Sequence, residues 1–331
     1  MKIIPEVVLV FSIVLMNPAQ AAGLDQVAVD RFINEMVREH DFVRSDLENL
    51  FENARKSQRV LDAIQRPAEA LPWHEYRQIF IKPARIEQGI RFWEENREAL
   101  DRARRIYGVP PEIIIAIIGV ETSYGRFTGS DRVIDALATL AFHYPRRGAF
   151  FRDQLKQYLI LAREQKIDPL SFKGSYAGAM GIPQFIPSSY RSYAVDFDRD
   201  GKIDIWNDPV DAIGSVANYF HEHQWVKDDP IAMPATVDGD EHLQVLNDRL
   251  ELHMQAAELP RYGIRQSGPV TPDRKLKLLR LDTAEGNEYW LAMNNFYVIT
   301  RYNHSALYAM AVYQLSEEIR SRMENHIATI E

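Results

Sequence analysis

The chain has 331 residues, of which 46% are hydrophobic and 26% are charged, as in an ordinary globular protein. Its formal net charge of -8, without a long basic stripe or zinc-finger spacing, excludes a typical nucleic-acid-binding protein. The absence of cysteine excludes disulfides, a thiol nucleophile, thiolate metal sites and anchoring through a lipidated N-terminal cysteine.

Residues 1–21 have the pattern of a cleavable secretory signal. Lys2 supplies a positive charge, residues 7–16 are apolar except for Ser12, and Ala19-Gln20-Ala21 has the small-x-small form of a cleavage site. Such a short apolar run cannot span a bilayer as a helix. We therefore expect a soluble, exported protein without a transmembrane helix. The alternative is an uncleaved segment that lies in the membrane interface.

Residues 22–101 predict a helical domain. Apolar side chains recur there at helix-like spacing, among them Phe32, Met36, Phe42, Leu47 and Leu50. A turn region around residues 66–73 interrupts the pattern. The next segment, residues 102–225, predicts a core with a buried helix, several further helices and two glycine-containing loops.

The core segment opens with a helix that ends in a single acid. Pro110 and Pro111 suit a helix start, because the N–H groups of the first turn have no intrahelical partner. Residues 113–120 are all apolar or small, which predicts a helix that is buried on most sides. Burial raises the pKa of a carboxyl at its end, so Glu121 is a candidate general acid. The alternatives are a glutamate paired with an arginine, or one exposed where the helix frays.

A second stretch of interest, residues 174–190, combines small and polar residues. Gly174, Ala177 and Gly178 let backbone segments approach closely. Ser175 and Gln184 place neutral hydrogen-bonding groups among apolar neighbours, which suits orienting a carbohydrate or fixing a catalytic carboxylate. Taken alone, the stretch is also compatible with a tight packing turn.

An acidic loop follows at residue 196. Asp196, Asp198 and Asp200 occupy positions 1, 3 and 5 of an EF-hand-like calcium loop, and Gly201 occupies position 6. Position 12 is Asn207 instead of the usual glutamate. The alternative is an acidic turn that binds no ion.

Residues 226–301 predict a small β-containing domain. Turn signals alternate there with short β-prone runs such as residues 278–281 and 295–300. Residues 302–331 return to a helical pattern, and we expect this C-terminal helix to pack on the helical domain. The predicted fold class is α+β, mainly α.

The chain resembles the lytic murein transglycosylase B family, glycoside hydrolase family 103, from about Phe32 to Gln314. The resemblance is carried by five stretches, namely residues 121–125, Tyr144-Pro145-Arg146-Arg147, residues 174–190, residues 208–220 and Arg301-Tyr302-Asn303. It implies a lysozyme-like core with an open cleft, and a periplasmic enzyme that acts on the glycan strands of peptidoglycan. It also implies that Glu121 acts first as acid and then as base, forming 1,6-anhydromuramic acid ends without consuming water.

Further site residues follow from the same resemblance. Ser175 and Gln184 would contact Glu121 or the substrate, and Arg146 and Arg147 would meet a carboxylate of the muramic residue or its peptide, or else form a solvated pair. The remaining residues expected to line the cleft are Tyr76, Phe150, Tyr219, Tyr302 and Asn303. Phe150 departs from the family tyrosine, which removes one hydrogen bond from that wall.

The resemblance also implies one structural calcium ion and no organic cofactor. Its ligands would be Asp196, Asp198, Asp200, the Lys202 carbonyl and Asp211, with Asp204 as an additional candidate. Partners in cell-wall synthesis are expected from the family, and we expect a monomer.

Other functional classes stay open or are disfavoured. A hydrolytic muramidase on the same fold would differ only in using water as the nucleophile, and a non-catalytic peptidoglycan-binding protein would not need Glu121, Ser175 and Gln184 together. A calcium sensor is disfavoured because the sequence has only one such loop. Zinc hydrolysis is unsupported because no His-x-x-x-His motif is present.

Overall fold

The computed structural model describes residues 23–65 and 71–330, with side chains up to residue 326. The predicted signal at residues 1–21 and most of the predicted turn at 66–73 lie outside the described residues. Within the described part, no helix has the length and apolar character needed to cross a membrane.

Six helices form the N-terminal part of the fold in the described residues 23–65 and 71–107. Asp25 caps the first of them by accepting a hydrogen bond from the Ala28 N–H, and Gly108 ends the last in a left-handed conformation. The predicted apolar positions Phe32, Met36 and Leu47 are buried. The helices are α1 Gln26–His40, α2 Arg44–Asn53, α3 Gln58–Ala63, α4 Trp73–Phe80, α5 Pro83–Glu95 and α6 Arg97–Tyr107.

The central part is built around the predicted buried helix, which the structure confirms as α7 Pro111–Thr122. Its residues from Ile113 to Ile118 are at most 1% exposed, so the helix is surrounded by other elements. A two-stranded antiparallel ribbon pairs β1 with β2. The elements that follow α7 are β1 Asp131–Arg132, α8 Val133–His143, α9 Gly148–Glu164, β2 Lys173–Gly174, α10 Pro187–Tyr193 and α11 Pro209–Glu222.

The predicted β-containing region is an antiparallel five-stranded sheet with the strand order β4-β6-β7-β3-β5. The β-prone run at residues 278–281 lies in β6, where Leu278 pairs with Leu291 of β7. The sheet has a small core of its own, which includes Leu276, Leu278 and Leu291. The strands are β3 Ala232–Val237, β4 Met254–Gln255, β5 Ile264–Gln266, β6 Lys275–Thr283 and β7 Gly286–Ala292.

The β-prone run at residues 295–300 is wrong as a strand prediction, because it lies in helix α12 Asn294–Tyr302. Asn295 is wholly buried, and its side chain hydrogen-bonds the Val226 N–H, the Val226 carbonyl and the Asp229 carbonyl. Phe296 and Ile299 bury their side chains three residues apart, which is a helical spacing. Tertiary packing therefore overrides the β preference of these residues.

The C-terminal helix α13 Ala306–Ile330 lies within the segment of residues 302–331 for which a helical pattern is predicted. It packs against α4 and α5 of the N-terminal part and also against α7 and α12. One continuous core extends from Val29 to Ile319 across residues 101 and 102, so helices on both sides of the predicted domain boundary share it. The division at that point stays a prediction.

Candidate active site

Glu121 lies in the last turn of α7 and lines a cleft of about 1050 Å³. The helix ends there because Ser123, Tyr124 and Gly125 all adopt positive φ angles, which turn the chain away from the helix axis. Among the described residues, Glu121 contributes the only carboxylate to the lining of this cleft. No arginine forms an ion pair with it in the described part of the chain, so the alternative of a paired structural glutamate is not what the structure presents.

The partner of Glu121 is Tyr308, which sequence reasoning missed. The Tyr308 hydroxyl donates a hydrogen bond of 2.5 Å to Oε1 of Glu121. Burial raises the pKa of Glu121 to about 7, although this hydrogen bond lowers the pKa in part by favouring the charged form. Burial, together with the nearby Glu121, raises the pKa of Tyr308 well above its ordinary value, so its proton stays in place.

The 174–190 stretch folds back on itself beside Glu121. Gly174 pairs with Asp131 in the ribbon, and Met180 forms backbone hydrogen bonds with Phe185 in both directions. The Thr122 hydroxyl, next to Glu121, donates to the Ile182 carbonyl at 2.9 Å. The end of α7 and this stretch are thereby held together as one wall of the cleft.

Ser175 and Gln184 both line the cleft, but their hydrogen bonds in this structure go to backbone groups and not to Glu121. Ser175 Oγ accepts from the Ala179 N–H at 3.0 Å. Gln184 Nε2 donates to the carbonyls of Thr128 and Gly181 at 3.1 and 2.9 Å. The hydrogen bond to Glu121 is made instead by the Tyr308 hydroxyl, which α13 brings to the carboxylate.

Tyr219 and Tyr302 line the cleft as expected, with ring centroids 4.8 Å apart. The Tyr219 hydroxyl donates to the Arg301 carbonyl and the Tyr302 hydroxyl donates to the Pro183 carbonyl, each at 2.6 Å. These bonds fix both rings against the fold. Aromatic rings held in this way are suited to packing on the apolar C–H faces of sugars.

Tyr76 is the one tyrosine of the expected set that does not line the cleft. It is 3% exposed and packs between Trp73 and Phe80 in the core, within electrostatic range of Tyr308. Tyr76 lies near Tyr308 in the core and not in the cleft, because α4 and α13 pack together.

The two neighbouring arginines differ in position. Arg147 lines the cleft and lies over the ring of Phe150 at 4.3 Å, and Phe150 and Asn303 line the cleft as well. Arg146 is exposed and is absent from the cleft lining. Of the pair, only Arg147 is placed to meet an anionic group in the cleft.

The other acids near α7 have separate structural roles. Glu112 lies in the first turn of α7, at the far end from Glu121. Asp131 lies in β1 and pairs with Arg59, while Asp135 pairs with Arg132 in the first turn of α8. None of the three lines the cleft.

The acidic loop gathers part of the expected metal-ligand set. One oxygen each of Asp196, Asp198 and Asp211 lie within 4.8 Å of one another. Asp211 is 1% exposed, and its two oxygens accept the N–H groups of Phe197 and Asp204 at 2.6 and 2.8 Å. Burial raises the pKa of Asp211, although these two hydrogen bonds lower it in part. An all-oxygen donor set of clustered carboxylates fits the preference of calcium.

Asp200 and Asp204 are used differently within the loop. Asp200 Oδ1 accepts the Lys202 N–H at 2.8 Å. Asp204 accepts hydrogen bonds from the backbone of Trp206 and from the backbone and side chain of Asn207. Asp204, like Asp200, is not part of the converging group of Asp196, Asp198 and Asp211, which disfavours Asp204 as a ligand.

The loop also supports the cleft. The Ile182 N–H donates to the Ile205 carbonyl at 2.8 Å, and the Tyr190 hydroxyl donates to the Ile203 carbonyl at 2.8 Å. Arg102 holds the other side of the loop, since its guanidinium lies 4.1 Å from the ring centroid of Phe197 and donates to the Phe197 carbonyl. A change in the loop would therefore reach Ile182, whose carbonyl bonds Thr122.

The chain is similar to known lytic transglycosylases over most of its length. The family model described as the transglycosylase SLT domain matches residues 25–317. Over 299 residues the chain is 45% identical to the membrane-bound lytic murein transglycosylase B of Escherichia coli (strain K12), a match that covers 87% of this chain and 81% of that protein.

Solved structures give the same result. The soluble lytic transglycosylase SltB1 from Pseudomonas aeruginosa is 52% identical, with a TM-score of 0.85 over 89% of this chain and 99% of that chain. The Escherichia coli lytic transglycosylase Slt35 in complex with calcium is 44% identical, with a TM-score of 0.84 over 92% of this chain and 96% of that chain. The chain therefore belongs to the SLT-domain family of lytic transglycosylases.

Proposed function

We propose that the protein cleaves the β-1,4 bond between N-acetylmuramic acid and N-acetylglucosamine in peptidoglycan and leaves 1,6-anhydromuramic acid ends. The observation that carries the proposal is Glu121, the single carboxylate of the cleft in the described residues, whose pKa is raised to about 7. Glycosidases that use water or a covalent intermediate ordinarily flank the bond with two carboxylates. A lone acid favours a nucleophile supplied by the substrate itself.

The reaction would proceed in two steps at one carboxyl group. Protonated Glu121 gives its proton to the glycosidic oxygen as the bond from that oxygen to C1 of the muramic residue breaks. The C6 hydroxyl oxygen of the same residue then bonds to C1, and its proton passes to the Glu121 carboxylate. The acid is regenerated, and no water enters the product. A pKa near 7 suits both roles, because neither protonation state is strongly disfavoured near neutral pH.

The remaining cleft residues would bind and orient the glycan. Ser175, Gln184 and Asn303 offer neutral hydrogen-bonding groups, and Phe150, Tyr219 and Tyr302 offer ring surfaces. Arg147 would pair with a carboxylate of the muramic residue or of its peptide. Tyr308 would act as a positioning residue through its hydrogen bond to Glu121.

The acidic loop would hold one calcium ion in a structural role. The ligands would be Asp196, Asp198, Asp200, the Lys202 carbonyl and Asp211, and three of these carboxylates already converge. A divalent cation would offset the repulsion among them. The related Slt35 structure in complex with calcium supports this assignment.

The cellular setting follows from the substrate. Peptidoglycan lies outside the cytoplasmic membrane, so we propose export to the periplasm by residues 1–21, action as a monomer, and cooperation with proteins of cell-wall synthesis. The murein transglycosylase relative from Escherichia coli supports the substrate class.

A pair of matched variants tests the role of Glu121. Glu121→Gln keeps the shape of the side chain but cannot transfer a proton, so turnover of purified peptidoglycan should fall by about 10²–10⁴-fold. Glu112→Gln makes the same change at the other end of α7, outside the cleft, and should retain activity. Comparable activity in the two variants would overturn the assignment.

A further inference from the structure

A second pocket adjoins the catalytic cleft. It has a volume of about 560 Å³ and lies between β6, the loop that follows the 3₁₀ helix at Glu241–Gln244, and the turn that joins α12 to α13. His304, in that turn, lines this pocket and the catalytic cleft alike. The two spaces are therefore neighbours that share one exposed side chain.

The adjoining pocket carries an excess of positive charge. Arg249, Lys277 and Arg280 line it, against a single carboxylate from Asp248. Arg280 pairs with Asp282 at 3.5 Å, but both side chains are about half exposed, so this pair is weak. Arg249 forms no ion pair within the described residues.

Lys277 is the most unusual of these groups, because it is only 3% exposed. Its ammonium donates to the Asn247 carbonyl and to Asn247 Oδ1 at 2.8 and 3.2 Å, which leaves one of its three N–H donors without a described acceptor. No carboxylate in the described chain lies within ion-pair distance of it. Asp248 and Glu251 lie within electrostatic range of the Lys277 ammonium and offset part of the unfavourable effect of its burial. An anionic ligand in the pocket would offset more of it.

The lining of this pocket differs in kind from the lining of the catalytic cleft. The cleft contains Phe150, Tyr219 and Tyr302, whereas the adjoining pocket contains no phenylalanine, tyrosine or tryptophan. Sugar rings are typically recognised by aromatic faces and neutral hydrogen-bonding groups. Arginine and lysine instead suit carboxylates, through charge-assisted hydrogen bonds.

We propose that this pocket binds the acidic peptide carried by a muramic residue whose sugar lies in the catalytic cleft. The inference rests on the proposed function, because it takes peptidoglycan as the occupant of the cleft. A peptide branches from the lactyl group of muramic acid and bears free carboxylates. An extended chain covers about 3.3 Å per residue, so a few residues would suffice to pass His304 and enter the adjoining pocket.

Binding measurements on an inactive background separate this proposal from the catalytic one. The Glu121→Gln protein would be titrated with glycan strands that carry their peptides and with the same strands after an amidase has removed the peptides. The stripped strands keep one lactyl carboxylate per muramic residue, so the comparison isolates the peptide. We expect peptide-bearing strands to bind about tenfold more tightly, as two charge-assisted hydrogen bonds would allow.

The variant Arg249→Ala/Arg280→Ala, on the same background, should weaken this preference, because only Lys277 and Arg147 remain to meet the peptide, while the affinity for stripped strands stays the same. Both arginines are exposed, so the fold should tolerate their removal. The control is Arg265→Ala, an exposed arginine of β5 outside the pocket, and it should keep the preference. Equal affinity for the two kinds of strand in the parent protein, or an unchanged preference in the double variant, would overturn the proposal.

These outcomes do not depend on catalysis. The wild-type protein could fail to produce anhydro ends while the peptide preference, and its weakening in the double variant, are still observed. That result would refute the catalytic proposal and support the peptide pocket. If turnover occurred without any peptide preference, only the pocket would fall.

Discussion

Glu121 should lower the free energy of unfolding at neutral pH, and replacing it with glutamine should remove this destabilisation. The pKa of the carboxyl rises from 4.5 to about 7 on folding, mainly because burial disfavours its charged form. Below pH 4.5 both the folded and the unfolded chain hold the proton, so the group adds no pH dependence. Between pH 4.5 and 7 only the unfolded chain releases it, and the wild-type protein loses stability as pH rises.

The size of the effect follows from the interval between the two pKa values. At about 1.4 kcal/mol per pH unit, it amounts to at most about 3 kcal/mol above pH 7. This value is an upper limit, because part of the Glu121 side chain is in contact with solvent in the cleft and the solvent reduces the effect of burial. Glutamine does not titrate, and its amide oxygen can still accept the Tyr308 hydroxyl.

Urea unfolding of the wild-type protein and of Glu121→Gln at pH 4, 6 and 8 measures the prediction. The difference in the free energy of unfolding should grow in favour of the variant between pH 4 and 8, by about 2–3 kcal/mol. Glu52→Gln, on the exposed side of α2, shows what a carboxylate outside the cleft contributes. A difference between Glu121→Gln and wild type that does not change with pH would refute the argument that burial raises the pKa of Glu121.

Three further predictions concern the groups around Glu121. Tyr308→Phe removes a hydrogen-bond donor that lowers the pKa of Glu121. In a pH–rate profile, the pH at which kcat falls should therefore rise by about one unit or more. An unchanged profile would contradict the role of this hydrogen bond. Excess chelator should lower the Tm of the wild-type protein, and Asp198→Asn should reduce the calcium-dependent gain in Tm; melting curves that do not respond to calcium would exclude the site. Gly129→Ala should destabilise the fold by more than about 1 kcal/mol, since φ is 98° and a Cβ would lie 2.0 Å from the Gly174 carbonyl oxygen. Gly286→Ala, with a positive φ but open space, is its control, and equal losses of stability in the two variants would mean that the contact with Gly174 is unimportant.

Features set by local sequence were predictable. Pro110, Pro111 and the apolar run at residues 113–120 predict α7, and Glu121 directly follows that run in the last turn of the helix. The acidic loop is similar, because positions 196, 198 and 200 follow a short, fixed spacing. The hydrogen bonds that Asn207 donates to the Asp204 carboxylate were not predicted. For α7 and for residues 196–201 the information lies within about a dozen residues, whereas Asp211 lies outside that local pattern.

Features set by distant packing were not predictable. Tyr308 is 187 positions away from Glu121, and only the packing of α13 on α7 brings its hydroxyl to the carboxylate. The run at 295–300 has the composition of a strand, but the buried hydrogen bonds of Asn295 fix it as a helix. Tyr76 has the right residue type for the cleft wall, yet α4 places it in the core.

The central claim is that the C6 hydroxyl of the substrate, and not water, attacks C1 after Glu121 has protonated the bond. It is tested most directly by digesting purified peptidoglycan with the protein in water enriched in heavy oxygen and measuring the masses of the products by mass spectrometry. The account predicts muropeptides that are one water lighter than those of a muramidase and carry no heavy oxygen. Reducing ends that carry one heavy oxygen atom would mean that water attacks, and would contradict it.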